Sequence, residues 1–146
     1  MTHTIEQLDA ITRFIPVFEA QGFVFSEVIE PTQTADGFWS MGAIYPGEDG
    51  MAFVKACYDH EWIMPFDWNS YSQTDEARQL RDDPNALAQA TDDQLAKLLT
   101  IVIRKNRFND GELDAAFSSG LLLGILKRAE RLASDFRHYD EGQRNG

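Results

Sequence analysis

The stretch that decides the fold runs from Leu95 to Leu132 and reads LAKLLTIVIRKNRFNDGELDAAFSSGLLLGILKRAERL. Leu95, Leu98, Leu99, Val102 and Ile103 recur at the spacing that sets one apolar face on an α-helix. Just upstream, Thr91 and Gln94 form a Thr-x-x-Gln capping box, and Asp92 and Asp93 complement the positive end of the helix dipole. This helix is expected to start at Thr91 and to end near Lys105 and Asn106. Asn109-Asp110-Gly111 supplies a turn, with Asp110 placed to cap a second helix that carries Leu113, Phe117, Leu121, Leu122, Ile125, Leu126 and Leu132. Two helices joined at a polar elbow make a helical hairpin, and the broad apolar surface of the second suits an element enclosed by its neighbours.

Ala116, Gly120 and Gly124 are spaced four apart and fall on one ridge of that second helix. Glycine inside a helix costs roughly 1 kcal/mol against alanine, so the ridge predicts close packing of another backbone. A ligand groove and a homodimer seam are the functional alternatives.

Upstream, Thr4 and Gln7 make another capping box and open a helix with Ile5, Leu8 and Ile11 inward, which Pro16 ends or kinks near Ile15. Phe23–Phe25 with Val28-Ile29, and Phe38–Tyr45, have strand composition and are expected to form a small antiparallel hairpin around a loop from Pro31 to Gly37. Helices are expected over Met51–Glu61, Thr74–Arg81 and from the Asp83-Pro84 pair to about Ala90, with Trp62–Trp68 extended because of Pro65. The fold class that follows is mainly α: residues 1–138 as a single globular domain, a C-terminal helical hairpin packed by N-terminal helices, and a minor two-stranded β element. Residues 139–146 read as a mobile polar tail.

The net charge of −11 is uneven: residues 1–100 carry 5 Lys and Arg against 17 Asp and Glu, whereas residues 101–146 carry 8 against 7. An acidic body disfavours direct binding to nucleic acid or to an anionic membrane and favours, if anything, a partner with a basic surface. Lys127, Arg128, Arg131 and Arg137 form a basic edge, which the sequence explains as complementing the C-terminus of the second helix. No apolar run is long enough to span a bilayer, the start lacks the pattern of a secretory signal, and a cytoplasmic protein is expected. Cys57 is the only cysteine and reads as a small core residue; no Cys/His pattern has metal spacing, and neither a metal nor a cofactor is expected. Phosphate-binding glycine motifs and a nucleophile elbow are absent from the sequence.

Pro65-Phe66-Asp67-Trp68, the run Leu99-Thr100 … Ile103-Arg104-x-x-Arg107-Phe108-x-x-Gly111, Ala116-Phe117-x-Ser119-Gly120 and Phe14-Ile15-Pro16-x-Phe18 together resemble a family of small, uncharacterised bacterial domains. The resemblance spans nearly the whole chain and implies one domain with a common site, but no reaction. At the elbow the chain departs from the family's usual residues, with Asn106 before Arg107 and Asn109 after Phe108.

Arg104 and Arg107, three apart at a helix end, offer planar bidentate donors, and Asp67 beside Trp68 is their obvious internal partner. The leading reading is an Asp67–arginine clamp that ties the extended segment to the hairpin. A pocket for a carboxylate or phosphate built on Arg104, Arg107, Asp67 and Trp68, used for binding or catalysis, ranks behind it. The function expected is a non-enzymatic protein-interaction or regulatory module, with another protein as partner and aromatic anchors drawn from Trp39, Tyr45, Trp62, Phe66, Trp68 and Tyr71. A specific version is a phage or plasmid anti-defence inhibitor whose acidic face, built on Asp82, Asp83, Asp92 and Asp93, mimics nucleic acid.

Overall fold

The computed structural model describes the backbone of residues 1–145; the side chains of residues 140, 141 and 143–145 lie outside that description, as does Gly146. The mobile tail expected over 139–146 falls largely on those residues.

The capping boxes at Thr4 and Thr91 both form, each threonine hydroxyl accepting from the third backbone N–H and each glutamine side chain accepting in return from the threonine N–H. They start α1 (Ile5–Thr12) and α7 (Asp92–Asn106). Pro16 lies in the single turn of α2 (Ile15–Phe18). Ser26–Ile29 (β1), Thr32–Gln33 (β2), Trp39–Ser40 (β3) and Ala43–Pro46 (β4) follow, then α3 (Glu48–Asp59). Three shorter helices, α4 (Trp68–Ser72), α5 (Asp75–Asp82) and α6 (Pro84–Leu87), lead into α7. Asp67 and Asp83 cap α4 and α6, and Thr74 caps α5. The chain is a mainly α single domain with a small antiparallel β element, as the sequence predicts.

α7 is buried on more than one face: Ala96, Thr100 and Ile101 join the predicted Leu95, Leu98, Leu99, Val102 and Ile103 inside. Two further helices, α8 (Glu112–Ser118) and α9 (Leu121–Asn145), follow α7, and against α7 and α9 pack α1, α2, α4 and α6. At one end of the same core, aromatic rings (Phe14, Phe18, Phe23, Phe25, Phe53 and Phe117) from α2, α3, α8 and the root of β1 pack together, with Phe25 stacked on Phe117 at 4.7 Å.

The elbow differs from expectation in two places. Asp110 does not cap the next helix; Gly111, in the left-handed region at φ 96°, takes the N-cap position, and the Asn106 side chain accepts instead from the N–H of Leu113 at 3.1 Å. The second helix is also two helices, α8 (Glu112–Ser118) and α9 (Leu121–Asn145). Gly120 sits between them at φ 87°, a conformation that closes a helix C-terminus and that a Cβ disfavours. The predicted Ala116/Gly120/Gly124 ridge is therefore broken. Of its two glycines only Gly124 meets a close neighbour, and that neighbour is the Leu87 side chain, 2.7 Å from where a Cβ would lie.

These two glycines predict opposite responses to alanine. Gly120→Ala has open space but the wrong backbone, and is expected to destabilise by about 1–2 kcal/mol. Gly124→Ala gains roughly 1 kcal/mol of helix propensity against a displacement of the flexible end of Leu87, and should stay within about 1 kcal/mol of wild type. Urea denaturation midpoints of both variants check the pair; equal losses would contradict the break at Gly120.

Candidate functional site

The residues expected to cluster at the elbow do not meet. The exposed Asp67 carboxylate caps its own helix, accepting from the Ser70 N–H at 3.1 Å and the Ser70 hydroxyl at 2.8 Å, and these bonds hold its pKa below the ordinary carboxylate range. Arg107 reaches the other way: it donates to the Tyr58 hydroxyl at 2.8 Å and lies 5.6 Å from the centre of that ring. Arg104 is half-buried, and no ion pair links it or Arg107 to Asp67 among the described residues. The clamp is thus corrected: a carboxylate at a helix start finds local N–H donors more readily than a distant guanidinium. Trp68, half-buried in the first position of α4, belongs to that same local turn.

The acidic set is divided as well. Asp82 is exposed and Asp83 caps α6 through the Asn85 N–H, but Asp92 is 5% exposed and sits beneath the N-terminal segment. Its Oδ2 accepts from the N–H of Thr2 (3.0 Å), the N–H of His3 (2.8 Å) and His3 Nδ1 (2.7 Å). The Thr2 hydroxyl lies 2.9 Å from the same oxygen and 2.6 Å from Asp93. Burial pushes the Asp92 carboxyl up, but the His3 and Thr2 hydrogen bonds outweigh it and the pKa is lowered.

His3, which no local sequence pattern singles out, is the centre of this arrangement. Its ring stacks on the fully buried Trp62 at 4.0 Å and 11°, and its Nε2 faces the carbonyl of Glu61 at 3.2 Å. A carbonyl and a carboxylate only accept, so each contact is complete where the ring nitrogen facing it carries a hydrogen. His3, Asp92 and Asp93 also bring three potential metal-ligand atoms within 4.8 Å of one another. Hydrogen bonds already occupy those atoms, and the N-terminus of α7 is the end of a helix that favours negative charge over a cation. The grouping is a structural lock.

Cys57 is buried as expected, and burial alone pushes its thiol far above the ordinary range, so it is no nucleophile.

What stands clear of the body is the β element. The pairs Ser26↔Pro46 through Ile29↔Ala43 and the pairs Thr32↔Ser40 and Gln33↔Trp39 share one register, so β1–β4 form a single hairpin interrupted at Pro31 and Gly42. Pro31 has no N–H to pair, and at Gly42 a Cβ would come within 2.7 Å of the Ile29 carbonyl. At the tip Thr34 donates its N–H to Phe38 and Gly37 takes φ 84°, the geometry of a three-residue hairpin loop. Every residue from Glu27 to Met41 is exposed, and the ribbon extends roughly 25 Å at about 3.3 Å per residue. On it Phe38 is 75%, Trp39 68% and Met41 91% exposed, with Val28, Ile29 and Tyr45 also open to solvent. The sequence anticipated Trp39 and Tyr45 as anchors; Trp62 instead belongs to the core, and Phe66, Trp68 and Tyr71 are half-buried. Exposure on both faces of one ribbon was the missing signal, because a strand that covers no core shows no clean alternation.

The family of unknown function DUF6508 matches residues 3–135. The chain belongs to this family. No curated protein and no solved structure matches the chain. The DUF6508 match takes in both the His3–Asp92 lock and the whole hairpin arm. No helix among the described residues is long and apolar enough to cross a membrane.

The lock predicts a pH-dependent stability. A carboxyl whose pKa is lower folded than unfolded stabilises above its unfolded value, near 3.9, and that contribution is lost as pH falls through the folded value. Asp92→Asn is expected to cost about 2 kcal/mol near neutral pH, the scale of hydrogen bonds to a buried charged group. The gap to wild type should close as pH drops below about 4. Urea titrations of both proteins across that range check it, and a gap that stays constant into acid would refute the assignment.

Proposed function

We propose that this DUF6508 chain is a non-enzymatic protein-interaction module that engages its partner through the hairpin arm. The observation that carries the reading is the unbroken exposure of residues 27–41 with Phe38, Trp39 and Met41 held out in water. Large apolar side chains of this kind supply interface anchors. A ribbon edge left open is normally protected by lysine. Here there is no Lys or Arg anywhere from Phe14 to Val54, and the arm carries Glu27, Glu30 and Asp36. A second copy of the arm would bring like charges together. A protein whose apolar surface is rimmed by lysine and arginine is the better complement, and the cytoplasm is the compartment we assign.

The anti-defence version draws less support, because the acidic face it requires loses Asp92 to the lock. A carboxylate or phosphate pocket at Arg104, Arg107 and Asp67 draws less as well, because Asp67 and Arg107 have other partners.

The test is affinity capture from native-host lysate with wild type, a Trp39→Ser/Met41→Ser variant and Arg107→Ala, with circular dichroism to confirm folding. One stoichiometric protein with a basic surface should accompany wild type and Arg107→Ala and disappear from the arm variant. Retention by the arm variant, or capture of nothing by wild type, would overturn the reading.

A further inference from the structure

The basic edge on α9 has lost its sequence explanation. Charge complements a helix dipole only in the last turn, and α9 continues to Asn145, far beyond Arg128 and Arg131. These residues instead line a groove of about 950 Å³ between the α5–α6 corner and the first turns of α9. Four cationic side chains (Arg81, Lys127, Arg128 and Arg131) face two acidic ones there, in a chain whose net charge is −11.

Two of the four are engaged: Lys127 pairs with Glu19 at 3.2 Å and Arg131 with Asp135 at 3.4 Å. Arg81 and Arg128 are not in ion pairs among the described residues. Each is half-buried and fixed by one bond to a backbone carbonyl, Arg81 to Ser72 at 3.1 Å and Arg128 to Ala90 at 2.8 Å. A guanidinium has five N–H groups, so both retain donors, already oriented, for an oxyanion. Leu87 and Leu121 give the groove its apolar walls, Ser119 and Ser134 also line it, and Gly120 and Gly124 have no side chain to fill it. Its volume falls in the range of small-molecule sites.

We propose that this groove binds a small molecule with a carboxylate or phosphate head held by Arg81 and Arg128 and an apolar body laid along Leu87 and Leu121. The site is independent of the arm, and either assignment stands if the other fails.

The experiment follows the Gly120 and Gly124 amide signals in ¹⁵N–¹H spectra of the full chain, titrated to millimolar concentration with hexyl phosphate, hexanoate, inorganic phosphate and hexanol. Hexyl phosphate or hexanoate should shift both glycines saturably, and the tighter of the two identifies the head group. Hexanol and inorganic phosphate should bind at least about tenfold more weakly, as should the acids to Arg81→Gln. Because Arg128 also holds the Ala90 carbonyl, Arg128→Lys is the folded control that keeps charge but loses the planar fork; it too should weaken binding. No shift with either acid, hexanol binding as tightly as the acids, or both variants binding like wild type would overturn the proposal.

Discussion

The burial of Trp62 is the constraint on which the rest of the body depends. An indole with no exposure needs an acceptor for its N–H, and Trp62 finds the carbonyl of Gln7 at 2.8 Å. Its face needs a cover, and the His3 ring supplies one. Placing an imidazole there creates two further demands, met by the Glu61 carbonyl on one side and Asp92 on the other. Asp92 opens α7, so the N-terminal segment, the segment after α3 and the central helix are joined at one point. Thr100, two turns along α7 and fully buried, closes a second point by accepting from the N–H of Met64 at 2.9 Å. Glu61 takes φ 63° within this turn, strain of about 1–2 kcal/mol for a side-chain-bearing residue that the surrounding bonds over-determine.

What was legible in the sequence is what rests on near neighbours. The two capping boxes, the Asp83-Pro84 helix start and the apolar spacing of α7 each depend on residues within a few positions, and all appear as read. The lock does not, because His3 and Asp92 are 89 residues apart and neither has a local pattern that names the other. The burial of Asp92 is hidden for the same reason: it is an ordinary first-turn acid until the N-terminal segment docks on it. Gly120 shows another limit. The apolar helical spacing carries on from Phe117 to Leu121 across Ser118-Ser119, so a left-handed glycine that ends one helix there looks identical to a small residue inside a longer one. The basic edge is displaced from its expected place for a separate reason: the rise in polarity after Arg131 resembles a helix end, whereas α9 runs on to Asn145.

The candidate surfaces sort by charge in a way that the whole-chain value hides. The acids dominate the first hundred residues, yet cations collect where α9 faces α5 and α6, while the arm has none. An acidic ribbon would gain energy by folding back onto cations of the body, since opposite charges near a protein surface attract appreciably. No ion pair among the described residues joins the arm to the body. What holds it is its root, where Phe25 stacks on Phe117 and Ile44 lies against the Gly111 turn. A rigid aromatic foot beneath an unattached ribbon fixes direction without covering surface. An arm held this way keeps its apolar side chains in water, and on the proposed reading its acids would favour a partner of opposite charge.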